Sequence, residues 1–128
     1  MSRYYKPSAI DAAGNMVANS QDVAYWGRAL LSGQVLSADS TEEQVANPIP
    51  LTTDIAYGLG VYVFGSGDDL ELGHLGSVNG NTSWMGHRPS DDATLVVMAN
   101  GWIEDSPYGS EYILEVSDAL WETVLGVD

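Results

Sequence analysis

The chain has 128 residues, room for one domain with a real core, and carries 18 acidic residues against 4 basic ones for a formal net charge of −14. That charge repels nucleic acid and anionic membrane surfaces and favours a solvated, monodisperse chain. Absence of cysteine removes disulfides and thiol chemistry, and neither a charged-then-apolar leader nor an apolar run of about 18 residues signals export or a membrane span.

Met1–Ala13 reads as an irregular lead-in, because Lys6-Pro7 interrupts any helix. Ser20 is a good N-cap and Asp22 suits a first turn. Val23, Trp26, Gly27, Leu30 and Leu31 then fall on one face, with Gly33 as the residue past the end, which predicts a helix. Ser40-Thr41-Glu42-Glu43 fits a capping box for a second, short helix ended by Pro48 and Pro50, with Ser37 as the alternative cap.

Four extended runs follow: Ala56–Phe64, Leu70–Leu75, Thr82–Arg88 and Thr94–Asn100. The separators have turn chemistry. Gly65-Ser66-Gly67-Asp68-Asp69 supplies positive φ and Asx-type bonding, Asn79-Gly80 is the dipeptide of a type I′ hairpin, and Pro89-Ser90-Asp91-Asp92 presets φ. The runs predict an antiparallel meander. Thr94–Ala99 is almost continuously apolar, which predicts a strand covered on both faces and lying inside the sheet. A long helix is expected from about Ser110 to Leu125. Glu111, Glu115, Asp118 and Glu122 form a narrow wet stripe on it, and Ile113, Val116, Leu120 and Val124, flanked by Leu114, Trp121 and Leu125, cover most of the rest. The fold class is therefore α+β, an antiparallel meander packed against a C-terminal helix and N-terminal helices, without repeat, linker or internal domain boundary.

Little of this composition carries chemistry. His74 and His87 have no HExxH or Cys/His grouping around them, so no metal site is expected. Gly58-Leu59-Gly60 falls within a strand pattern rather than at a strand-to-helix turn, and no phosphate cradle or cofactor motif is present. Asp68-Asp69 and Asp91-Asp92 sit in predicted turns, where solvation accounts for them. Asn81-Thr82-Ser83 has the form of a glycosylation sequon but falls at a strand start. One segment stands apart, Gly73-His74-Leu75-Gly76, where small residues flank an imidazole on a predicted strand and would let another molecule approach the backbone.

The order of segments resembles the C-terminal part of the serine β-lactamase-like hydrolases, which include class C β-lactamases, D-alanyl-D-alanine carboxypeptidases and related esterases. Four pieces carry the likeness over roughly residues 12–125. Ala13-Gly14-Asn15-Met16-Val17-Ala18-Asn19-Ser20-Gln21-Asp22, with Trp26 and Ala29–Gly33, is similar to the family's helix opening. Tyr57-Gly58-Leu59-Gly60-Val61 is similar to its "Y-G-L-G-W" strand, and Gly73-His74-Leu75-Gly76-Ser77 with Gly80 to its "G-H-x-G" variant of the Lys-Thr-Gly motif. Leu95–Asn100 and the closing helix match its last strand and C-terminal helix.

The resemblance implies acyl transfer. A serine of a Ser-x-x-Lys motif attacks a carbonyl, Tyr and Lys handle the proton, and an acyl-enzyme is hydrolysed. Carried over, His74 assists the Tyr or a substrate carboxylate, the backbone N–H of Ser77 is an oxyanion-hole donor, and Leu75 and Gly76 border the substrate. Tyr57 and Asn100 read as packing and turn residues. The departure is large. The one lysine is Lys6 with Arg3 three residues before it, so Ser-x-x-Lys is missing; Tyr-x-Asn is missing too, and Tyr108-Gly109-Ser110 lies after the His74 strand. The expectation is a single partial domain, residues 1–128, that is inactive alone and pairs with a partner. That partner is either a second copy across an exposed sheet edge or a separate N-terminal hydrolase chain, and the completed site takes a small amide or ester. The alternative is a non-catalytic binding or assembly module that keeps the sheet.

Overall fold

The computed structural model describes residues 11–78, 80–101 and 111–126. Helix α1 spans Ser20–Leu31, and its cap is Asn19 rather than Ser20: the Asn19 side chain accepts from the Asp22 N–H at 2.8 Å. Asn and Ser are comparable caps, and Asn19 holds the extended backbone that a cap requires. Gly33, at φ +76°, follows the helix as expected. Helix α2 spans Ala38–Ala46 and uses Ser37, which accepts from the Ser40 N–H at 3.2 Å, so the box at Ser40 falls inside the helix instead of opening it.

The strands form one six-stranded antiparallel sheet in sequence order: β1 Ile49–Pro50, β2 Ile55–Tyr57, β3 Tyr62–Phe64, β4 Glu71–Val78, β5 Asn81–Arg88 and β6 Ala93–Ala99. The meander is as the turns predicted, but β1 adds a strand that the four runs do not include, β4 continues past Leu75 to Val78, and two further corrections bear on the site. The run Ala56–Phe64 is two short strands, because Gly58–Val61 reverses the chain and pairs Tyr57 with Tyr62. The cause is local. The Leu59 N–H donates to the Gln44 carbonyl of α2 at 2.9 Å, a Cβ on Gly58 would lie 2.1 Å from that same oxygen, and Gly60 has φ +75°. Second, among the described residues β6 is the last strand of the sheet and not an inner one. Its apolar run reflects cover on both faces, since α1 and α3 both pack on it, while its outer edge has no strand among the described residues. Val78 pairs with Asn81 across a two-residue turn in which Gly80 has φ +79°; Asn79 lies outside the described residues.

Helix α3 spans Glu111–Leu125, and Ser110 lies outside the described residues. Its buried line is Ile113, Ser117 and Trp121, one ridge at spacing four. The other predicted line is different: Val116, Leu120 and Val124 are exposed, because the sheet reaches only one side of this helix. Two cores result. Leu31, Val61 and Leu72, with Val45, Val63, Leu70 and Met85 around them, fill the face under α1 and α2. On the opposite face Trp84 and Trp121 are buried, each contributing about 2–3 kcal/mol. There Glu71 Oε1 accepts from Trp121 Nε1 at 2.9 Å and Trp84 Nε1 at 3.2 Å.

Candidate active site

The candidate site is a stretch of strand edge. β3 begins at Tyr62, opposite Gly73, so from His74 to Val78 the strand β4 pairs with β5 alone among the described residues. Along this stretch Leu75 pairs with Trp84, Gly76 with Ser83 and Ser77 with Thr82; His74 and Ser77 are exposed. The four residues singled out from the sequence thus share one solvent-facing segment that lacks a neighbouring strand on its outer side.

His74 is held at both ring nitrogens. Nδ1 lies 2.7 Å from the Leu75 carbonyl oxygen and Nε2 lies 2.8 Å from the Tyr57 hydroxyl. A carbonyl only accepts, so Nδ1 carries a proton. Tyr57 stands edge-on to Tyr62 with ring centroids 4.7 Å apart, and the two rings lie 5.8 and 5.3 Å from the imidazole. Neither tyrosine was given a site role from the sequence. Tyr57 is 17 residues from His74, and no spacing signal links them; the β2–β3–β4 register does.

The flanking glycines separate. A Cβ on Gly73 would lie 2.2 Å from the Met85 carbonyl oxygen, so Gly73 is explained by packing against β5 and not by access. A Cβ on Gly76 would clash with the Ser83 hydroxyl alone, at 2.5 Å, its other neighbours lying at 3.9 Å or beyond, and that hydroxyl can rotate away. Packing does not force Gly76.

His87 is buried, beside Leu72 in the register, with Nδ1 2.9 Å from the Thr94 hydroxyl. Burial pushes its pKa below the usual histidine range, against a smaller opposing pull from Asp92. It is a core histidine. Both described arginines are engaged elsewhere: Arg28 pairs with Asp92, and Arg88 donates to Glu71 at 3.4 Å while lying 4.7 Å above the Trp121 ring. Among the described residues no group of three or more His, Asp or Glu is placed to hold a metal. Two cavities, about 520 Å³ between α1, α2 and Leu72 and about 380 Å³ between α3 and Glu71, are not lined by His74 or Ser77. The candidate site is an exposed shelf that lies outside both cavities.

Solved structures with this arrangement of strands and helices include D-amino acid amidase from Ochrobactrum anthropi SV3 in complex with L-phenylalanine, 28% identical with a TM-score of 0.83 over 97% of this chain and 36% of that one. A D-stereospecific amidohydrolase from Streptomyces sp. is 23% identical with a TM-score of 0.73, covering 96% of this chain and 34% of its own. A penicillin binding protein from Bacillus halodurans is 20% identical with a TM-score of 0.61, covering 79% and 30%. The last two share the fold. This chain spans about a third of the length of each. No curated protein matches it. The beta-lactamase family model matches residues 1–118, and the chain belongs to that family of serine β-lactamase-like hydrolases.

Proposed function

We propose that the chain is the C-terminal portion of a serine hydrolase of this family and supplies the His-x-Gly wall of an acylation site, being inactive alone. The observation that carries the reading is the exposed His74–Ser77 segment on an edge of β4 without a neighbouring strand. A substrate can lie along that edge as an added strand, with Leu75 and Gly76 bordering it. Gly76, unforced by packing, keeps the shelf low. The nucleophile comes from a Ser-x-x-Lys segment outside these residues and attacks an amide or ester carbonyl. The Ser77 N–H donates to the oxyanion that forms, and water then releases the acyl group. β-Lactams, D-Ala-D-Ala peptides and esters are the substrate classes. Likeness to a D-amino acid amidase adds D-amino acid amides as the first to assay.

Two uncovered surfaces support a partner. The outer edge of β6 and the stripe Val116, Leu120 and Val124 are uncovered among the described residues, and both are relieved by pairing with a second copy or with the nucleophile-bearing segment. The test mixes this chain with a separately prepared family segment bearing Ser-x-x-Lys and follows p-nitrophenyl acetate and a D-amino acid p-nitroanilide. Turnover above the sum of the parts is expected. No gain refutes the reading and leaves the non-catalytic assembly module. Light scattering decides the pairing separately: a monomer that binds no apolar dye excludes it.

A further inference from the structure

The hydrogen bonds of the imidazole say more about the substrate than its position does. The Leu75 carbonyl takes the Nδ1 proton at 2.7 Å, and the Tyr57 hydroxyl occupies Nε2 at 2.8 Å. In the neutral ring Nε2 accepts the Tyr57 proton; in the cationic ring Nε2–H donates to the Tyr57 oxygen. In neither state is a ring N–H free to meet a ligand. An imidazole offered to a substrate carboxylate would need such a proton.

We propose that Tyr57 is the positioning residue of His74, fixing it as the Nδ1–H tautomer. On that account, with the ring neutral, the group presented at the shelf is the phenolic oxygen of Tyr57, so the site takes a substrate with an N–H donor, such as the amine of an amino acid amide, and not a carboxylate. The charges agree. Both described guanidiniums are bound to carboxylates of the chain itself, Arg28 to Asp92 and Arg88 to Glu71, and the chain carries −14 overall. A carboxylate approaching this edge meets no free cation among the described residues, whereas an ammonium is drawn in by the field of the chain and finds a phenolic lone pair whose own proton is committed to Nε2. Tyr62, 4.7 Å away and edge-on, backs the phenol and limits its swing. The substrate half of this inference rests on the function proposed above; the Tyr57–His74 half does not.

The experiment uses the chain as it stands. Long-range ¹H–¹⁵N spectra read the protonation of each His74 nitrogen. With the ring neutral, the expected result is a protonated Nδ1 and an unprotonated, hydrogen-bonded Nε2, the reverse of the tautomer that free histidine prefers. Tyr57→Phe should move the Nε2 resonance toward that of an unbonded nitrogen while the amide spectrum elsewhere stays folded. An Nε2–H tautomer in the unaltered chain overturns the proposal without any variant, and so does a Tyr57→Phe spectrum in which both ring nitrogens are unmoved. For the substrate, the same resonances are followed during titration with D-phenylalanine amide and, separately, with 3-phenylpropionate, which has the carboxylate and no N–H. A shift with the amide and none with the carboxylate is expected. A response to neither, or a larger one to the carboxylate, overturns the substrate class and leaves the tautomer result standing. Failure of the two-part turnover assay would count against the hydrolase reading alone.

Discussion

The indole N–H of Trp121 in α3 donates to Oε1 of Glu71 in β4 at 2.9 Å, across 50 residues of sequence. Trp84 donates to the same oxygen at 3.2 Å and Arg88 to Oε2 at 3.4 Å, so one buried carboxylate ties the last helix to two strands. The same strand carries His74 three residues later. Whatever holds Glu71 also sets the seat of the shelf.

Removing that acceptor should therefore loosen α3 before it unfolds the sheet. Glu71→Gln keeps an acceptor for the indoles but sets an amide N–H against Arg88, at a cost of about 2 kcal/mol. Glu71→Leu leaves Arg88 and two indole donors without partners and should cost about 3–5 kcal/mol. Urea unfolding followed by tryptophan fluorescence measures both. A loss under about 1 kcal/mol for the leucine variant would show that apolar packing alone fixes the helix.

The two glycines of the Tyr57-Gly58-Leu59-Gly60 turn should behave differently. A methyl on Gly58 would lie 2.1 Å from the Gln44 carbonyl oxygen of α2, so Gly58→Ala forces the helix away and should cost about 2–3 kcal/mol. Gly60 has φ +75° and nothing within 4 Å of an added Cβ, so Gly60→Ala meets backbone strain alone, about 1–2 kcal/mol. Urea midpoints at equal m-value compare them, and the reverse order would contradict this account of the turn.

His87 gives the fold a pH dependence whose sign is fixed by its burial. Its folded pKa lies below the ordinary 6.5, so below that pH the unfolded chain binds the proton first. The stability is complete above about pH 6.5 and declines as pH falls from there to the lower folded value. His87→Gln should flatten that decline. Asp92, held below its usual range by its hydrogen bond to Arg28, acts only at more acidic pH and does not share the window. Thermal unfolding at steps between pH 7.5 and 5 checks this; an equal slope in the variant assigns the effect to other groups.

The role given to the Ser77 amide is testable atom by atom in the two-part enzyme. Replacing the peptide N–H of Ser77 by an ester oxygen removes the donor and keeps the side chain, and should lower kcat by about 10²–10³ with substrate binding little changed. The same change at Val78, whose N–H points to the other side of the strand, should lower kcat far less. Equal losses at the two positions would place the oxyanion donor elsewhere.

Sequence carried the architecture where local chemistry decides it. The turns at Gly65–Asp69, Gly80 and Pro89–Asp92 each needed residues that tolerate positive φ or preset a bend, and the described strands follow from them. It failed where a competing element intervened: nothing between Ala56 and Phe64 says that α2 will place the Gln44 carbonyl against Gly58 and fold the run in two. It also read Thr94–Ala99 as an inner strand, because apolar composition reports covered faces and is silent about edges.

For the site, the residues themselves fixed that an imidazole, a leucine, a glycine and a serine amide stand in a row on a strand, because period and turn chemistry are properties of neighbours along the chain. What the imidazole can do was decided only by folding. The phenol that occupies its Nε2 comes from a different strand, and a hydrogen bond between residues distant in sequence depends on register, which no local pattern encodes.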